Sequence, residues 1–590
     1  METGRPIAVK PFVERIEEHC AKLDRNELIG TIVSIGLTYK PRERQGFLDE
    51  IGVRSTEARV SDEIDLVLDD VAALLDDIAS RLAAIADGTF WSDYAEQTDY
   101  SLDDDPPELT DEQTQELVLF LSEADSLFVA GRFADARRVY EPLLRLFRMQ
   151  DDGEGIDVSA VATDLDIREE RARYARCVYE TTNPDSRATA MVETMEIAAR
   201  PYVWCDGMRS PEPMLSDVVN AYHGRMSGFD DFLVAWIQCL EASGLETLRA
   251  QRLYLESLAI ERGPSALAVV ARKWAGDRPI GYVEWISALV QEGEWSAVVD
   301  AAREALDRIP EDSKEHQWSR AHAAMAIVEA GVRLNDSTII LDGRRAAFRV
   351  EPSDAFLANL IEAASVTEHL QEELSEAVGF LRERDTGDRA VYAKTLIIAG
   401  RLGETLAIAK NCEPLGWSYH DRSAGLCFAA ILARRVLPDL ADYPVIRALL
   451  YSTVSQREGY SRLRSVDSDG AVDSEAGSGA ILIDHAMRGL GSATLNPNLE
   501  DEYVRWAEQI GLRRVDAIVS NLYRGAYERA ATILVALAER LTAEGRCREG
   551  LELVEEYRAK YNRHSAFKAE LDRVVKCSAL KVGLRRGGPP

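Results

Sequence analysis

From Tyr282 to Pro310 the chain reads YVEWISALVQEGEWSAVVDAAREALDRIP, two short amphipathic helices folded about Gly293 and closed by a proline. Related phrases recur along the chain, and this recurrence constrains the fold more than any other feature. A unit of that length cannot bury its apolar face alone, so copies must stack on one another. Leu121 to Phe147 has the same arrangement: Ala124, Leu127 and Ala130 share one helix face, Gly131 makes the turn, and Phe133, Ala136, Tyr140 and Leu143 share the next. Small residues at 124 and 136 let the two backbones approach while the aromatic rings fill the space beside them. Weaker copies run from Val391, turning at Gly400, and from Ile533 to Tyr561, turning at Gly545; Leu253 to Trp274 and Trp318 to Pro352 read as less regular helix pairs. The turn glycines are not spaced by whole multiples of one period, which implies insertions or degenerate units between them.

The order small residue, large residue, Gly, aromatic, Ala, aromatic and closing Pro resembles the tetratricopeptide repeat, whose unit is roughly 34 residues long. The resemblance is clearest at 121–147, 282–310 and 533–561. In the second of these Tyr282 and Trp285 open the first helix, Gly293 and Trp295 form the turn, Ala302 and Ala305 sit in the second helix and Pro310 ends it. The resemblance implies an all-α fold, a helical-repeat solenoid of antiparallel helix pairs whose binding surface is lined by the first helix of each unit. Members of that family that grip the C-terminal carboxylate of chaperones use Lys, Arg and Asn there. The corresponding positions here carry Leu121 and Asp125, Val283 and Ser287, and Val535 and Glu539. The clamp is therefore absent. Asp125, Ser287 and Glu539 become the candidate partner-binding residues, and the carboxylates among them favour a basic or amphipathic segment.

Around the array the sequence divides further. Residues 1–88 read as a helical region, with helices over Val13–Leu23, Glu27–Leu37 and from Ser61, where Ser61, Glu63 and Asp65 make a capped start. An acidic, turn-rich linker holding a Pro pair covers 89–113, and the repeats occupy 114–463. A Gly/Ser/Asp-rich loop follows at 464–480, then more helical repeat at 481–575 and a basic frayed tail at 576–590.

Composition narrows the function. A chain of 590 residues that is 46% apolar can bury a large core, and a formal net charge of −32 repels nucleic acid and anionic lipid over most of its surface. The predominance of Arg over Lys reads as coding bias. Cys20, Cys177, Cys205, Cys239, Cys412, Cys427, Cys547 and Cys577 stand singly, as reduced apolar fillers do. The most apolar stretch, Gly425 to Ala433, falls well short of the ~20 residues needed to cross a bilayer, so the expectation is a cytoplasmic protein with no membrane contact.

Motifs that carry chemistry are sparse. His420 and Asp421 form a pair of the kind that supplies two ligands in metal-dependent phosphohydrolases, but such a site needs further ligands that the spacing does not provide. Asp484 and His485 share that weakness, and Cys205 has no base beside it. Nucleophile-elbow, phosphate-loop, dinucleotide and zinc-protease signatures are all missing. The reading is thus a non-enzymatic scaffold or adaptor, with no catalytic, cofactor or metal residue assigned. One alternative is a ligand- or peptide-sensing transcriptional regulator. In it, residues 158–179 approximate a helix-turn-helix through Ala162, Leu165, Ile167 and Ala172, with Arg168, Arg171, Arg173 and Arg176 on the second helix. Glu169 and Glu170 interrupt that face, so a solenoid helix with solvated charges competes with it. A metal-dependent hydrolase around His420 and Asp421 is the second alternative.

Overall fold

Apolar residues returning every third or fourth position over most of the chain do form helices. The computed structural model describes residues 22, 60–86, 108–147, 156, 165–196, 212–311, 316–384, 389–417, 422–455 and 474–580, and among these there is no strand. The fold is all-α. It divides into two units, Met1–Trp274 and Ala275–Pro590, a boundary inside the stretch 114–463 that reads as one array. The first unit contains α1 (Val60–Ala86), α2 (Asp111–Val129), α3 (Phe133–Leu144), α4 (Ile167–Thr181), α5 (Pro184–Thr194), α6 (Leu215–Asn220), α7 (Phe229–Ala242), α8 (Leu248–Arg262) and α9 (Pro264–Trp274). The second contains α10 (Ile280–Glu292), α11 (Trp295–Arg308), α12 (Gln317–Leu334), α13 (Ser337–Val350), α14 (Asp354–Val366), α15 (Leu370–Glu383), α16 (Arg389–Ile398) and α17 (Leu402–Ala409). It continues with α18 (Arg422–Val436), α19 (Pro444–Val454), α20 (Ser474–Ser492), α21 (Pro497–Ser520), α22 (Tyr527–Ala543), α23 (Cys547–Lys560) and α24 (Ser565–Lys576).

Two boundaries differ from the sequence reading. Helix α2 begins at Asp111, inside the expected linker 89–113. Thr110 is the cause: its hydroxyl accepts from the Gln113 N–H at 3.1 Å while Gln113 Oε1 accepts from the Thr110 N–H at 2.9 Å, a reciprocal cap. Helix α20 begins at Ser474, inside the expected loop 464–480. The helices expected over Val13–Leu23 and Glu27–Leu37, and the last residues of the tail, lie outside the described residues.

The turn between paired helices has one recurring geometry. At Gly131, Gly293, Gly400 and Gly545 the backbone enters the left-handed region, with φ of 74°, 74°, 73° and 78°. Each glycine N–H returns to the carbonyl three residues back, and the next N–H reaches five residues back, as Arg132 does to Leu127 and Arg546 to Leu541. These bonds satisfy carbonyls that the helix end would leave unpaired. The same bonds occur at Asn335, Glu368 and Leu522, with φ of 54°, 62° and 59°. Four consecutive hairpins, α10/α11 to α16/α17, therefore turn at 293, 335, 368 and 400, and the last three positions lie close to a roughly 34-residue spacing. Between Gly293 and Gly400 two of the turns carry Asn335 and Glu368 in place of glycine.

Leu522 lets this geometry be tested. A leucine in the left-handed region is strained by ~1–2 kcal/mol, and its side chain is 56% exposed, so little burial is lost with it. Leu522→Gly is expected to stabilise the second unit by about 0.5–1 kcal/mol after the added freedom of the unfolded chain is subtracted. A denaturation midpoint that falls would contradict the turn.

Two helices are enclosed by elements distant in the chain as well as by their neighbours. Helix α18, which holds the apolar stretch Gly425–Ala433, is buried on almost every side by α16, α17, α19, α20, α21 and α22. Helix α22 is likewise surrounded by α18, α19, α21, α23 and α24. A helix that is apolar all round must lie in a core. No helix among the described residues is long and apolar enough to cross a membrane.

Candidate functional site

The three candidate partner-binding residues meet different fates. Asp125, on α2, does not stand free: it accepts from the Tyr140 hydroxyl of α3 and pairs with Arg173 of α4, which also pairs with Glu169 at 2.8 Å and Glu170 at 3.0 Å. Burial and the nearby Asp125 charge push the Glu170 carboxyl well above its ordinary value. Asp125 is thus a tie between three helices. Its charge is answered inside the protein.

Glu539, on α22, is fully buried and is withdrawn as a partner-binding residue. One carboxylate oxygen accepts from the Val445 and Ile446 N–H groups at 3.1 and 3.0 Å, at the first turn of α19, and the other accepts from the Ala579 N–H at 2.9 Å. These amides begin a helix or follow one, and the carboxylate takes the place of water. Sequence alignment put Glu539 on the first-helix surface, but here that helix is enclosed on all sides.

Ser287 keeps a place on an accessible face. It lies half-buried on α10, and its hydroxyl meets His322 Nε2 of α12 at 3.3 Å. The first helices of these two consecutive hairpins are in direct contact. His322 in turn lies against Trp318, with ring centroids 5.8 Å apart, and Trp318 is 44% exposed. Burial lowers the His322 pKa, so the imidazole is neutral at neutral pH. Ser287, His322 and Trp318 form one continuous patch across two hairpins. In the sequence Trp318 marks only the start of a less regular helix pair.

Arginines of the helix-turn-helix candidate are not turned outward, nor are they the solvated face that competed with that reading. Arg168 pairs with Asp217 at 2.7 Å. Arg171 is buried, pairs with Glu196 and donates to the Leu144 and Phe147 carbonyls. Arg176 is buried, pairs with Glu180 and donates to the Val218 and Val219 carbonyls. Arg173 belongs to the Asp125 cluster. Residues 157–164, the first half of the motif, lie outside the described residues.

The same device is used elsewhere. Arg249 donates to the Met195 and Pro213 carbonyls, both at 2.8 Å, and Arg320 to those of Leu306 and Ile309 at the end of α11. A planar fork of donors suits two carbonyls at a helix end as an ammonium does not. The predominance of arginine thus has structural uses that coding bias does not express. A cavity of about 210 Å³ beside Arg171 and Arg249 is lined by such committed groups.

Of the remaining motifs, Asp484 pairs with Arg488 on the outer face of α20 at 2.5 Å, and burial lowers the neighbouring His485 pKa. His420, Asp421 and Cys205 lie outside the described residues. Among the described residues no group of three or more His, Cys, Asp or Glu side chains is placed to hold a metal ion. A second cavity, in the second unit, is bounded by α18, α19, α21 and α22 and holds Arg514. Sequence reasoning missed it, although the signal is present: Arg514 stands in the apolar stripe Ala507, Ile510, Val515 and Ile518 of α21, where a charge is out of place. No protein-family model matches the chain, and comparison with curated proteins likewise finds no match.

Proposed function

We propose that the chain is a non-enzymatic scaffold or adaptor of tetratricopeptide-like helical-repeat architecture. It holds a partner protein against the first helices of the hairpins running from Ile280 to Ala409. The observation that carries this reading is the patch Ser287, His322 and Trp318, which bridges the first helices of two successive hairpins and leaves a large aromatic ring half in solvent. Exposed aromatic side chains beside polar groups are the residues on which protein interfaces most often turn. The net charge of −32 favours a basic or amphipathic segment as the occupant. Committed arginines on α4 disfavour the DNA-binding alternative.

The test is quantitative affinity purification from the source cells with wild type and with Trp318→Ala. A stoichiometric basic protein should be recovered with wild type and depleted at least tenfold with the variant, as loss of an interface anchor of roughly 2 kcal/mol implies. Recovery that is equal with both proteins removes the patch from the reading. Absence of any stoichiometric partner removes the scaffold itself.

A further inference from the structure

The cavity around Arg514 combines an apolar wall with a positive charge that no carboxylate among the described residues answers. Its volume is about 370 Å³. Trp417, Phe428, Leu449 and Ile533 supply the wall, and Phe428 and Trp417 are buried. Arg514 is 5% exposed, and its guanidinium lies over the Trp417 ring at 4.5 Å from the centroid. Nη1 donates to the Pro414 carbonyl at 2.9 Å, whereas Nε is buried without a hydrogen-bond partner. The edge formed by Nε and Nη2 is the one that grips a carboxylate with two parallel bonds, and no acceptor among the described residues occupies it.

The surroundings make this vacancy informative. Several other buried arginines have carboxylates: Arg171 has Glu196, Arg176 has Glu180, and Arg540 has Glu508 and Glu544; Arg187, which has none among the described residues, spends its guanidinium on the Ser227 and Thr182 carbonyls. Around Arg514 the neighbouring charge is Arg529, also on the cavity wall, and together with burial it lowers the Arg514 pKa to about 10. Glu528, the one carboxylate among the described residues of the wall, pairs with Arg573 at 2.7 Å. Ser452, Thr453 and Thr532 donate their hydroxyl protons to carbonyls of their own helices, so they offer a ligand acceptors and no donors. A buried cation without a counter-ion is costly to fold around, and an anion entering from solvent would relieve that cost.

We propose that this cavity binds a small organic anion, a monocarboxylate with an aromatic or medium-length aliphatic body. Arg514 holds the carboxylate by its Nε and Nη2 edge, and Trp417 and Phe428 cover the body. A cavity of this size suits a small molecule better than a folded partner, and the inference is independent of the scaffold reading.

Isothermal titration calorimetry on the full chain tests it, with naphthalene-2-carboxylate as probe and naphthalene-2-methanol as its neutral counterpart. The carboxylate should bind one to one and at least tenfold more tightly than the alcohol. Arg514→Met should remove that preference while keeping the helical circular dichroism and melting no lower than wild type, because an apolar side chain of similar length replaces an unanswered charge. Ser452→Trp, on an exposed part of the cavity rim, should weaken binding with Arg514 intact. A tetrapeptide ending in phenylalanine with a free carboxylate separates a chain terminus from a small molecule as the source of the anion. The proposal is overturned by equal affinity for acid and alcohol, by undiminished binding in either variant, or by binding of the peptide alone.

Discussion

Glu539→Ala is expected to destabilise the second unit by about 3–5 kcal/mol, among the largest effects a single substitution produces. Three backbone N–H groups depend on this carboxylate, those of Val445, Ile446 and Ala579. Each buried donor left without an acceptor costs about 1–3 kcal/mol, and Glu539 is fully buried, so water does not readily replace it. Glu539→Gln should cost less. Its remaining carbonyl oxygen can still serve the first turn of α19, while its amide group cannot accept from Ala579. Native-state hydrogen exchange reads this directly. In the alanine variant the amides of 445, 446 and 579 should all lose protection, and in the glutamine variant Ala579 should lose it preferentially. Unchanged protection in both would show that the carboxylate does not hold these segments.

Gly489→Ala is expected to destabilise the contact between α16 and α20 by about 2–3 kcal/mol, against the usual gain from replacing a helical glycine. A β-carbon there would collide with the Ile397 carbonyl oxygen and lie 2.6 Å from that of Ile398. Backbone atoms at the end of α16 cannot swing aside as a side chain tip can. Gly491 lies on the same helix with nothing within 4 Å of its would-be β-carbon, so Gly491→Ala should be neutral or stabilising by up to about 0.5 kcal/mol. The opposite signs of two glycine substitutions two positions apart make the pair decisive. Exchange over 389–398 and 474–492 measures both, and loss of protection in both variants would contradict the close approach.

Much of the fold is legible from periodicity because helices declare themselves locally. The hairpin turns at Gly131, Gly293, Gly400 and Gly545 were readable since glycine marks the left-handed backbone. Those at Glu368 and Leu522 were not, because the same backbone is taken there by residues that do not advertise it, and Asn335 is a weaker sign than glycine. The site was less legible still. Asp125 and Glu539 look like free surface acids in a one-dimensional register, and what engages them comes from segments far along the chain: Arg173 for the first, Val445 and Ala579 for the second. Ser287 remained half-buried, and its hydroxyl contact comes from the next hairpin. Arg514 shows the converse, an anomaly visible in the helix pattern whose meaning depends on Trp417 from another part of the unit.

The arginines that clasp helix ends also reshape what a partner meets at long range. Arg171, Arg176, Arg249 and Arg320 are drawn inward, while among the described residues most acidic side chains are not buried. The outward face is therefore more anionic than the composition alone indicates, and it gathers an atmosphere of mobile cations. Encounter with a basic protein should be accelerated at low ionic strength and should slow steeply as salt shortens the reach of that field to roughly 8 Å at physiological strength.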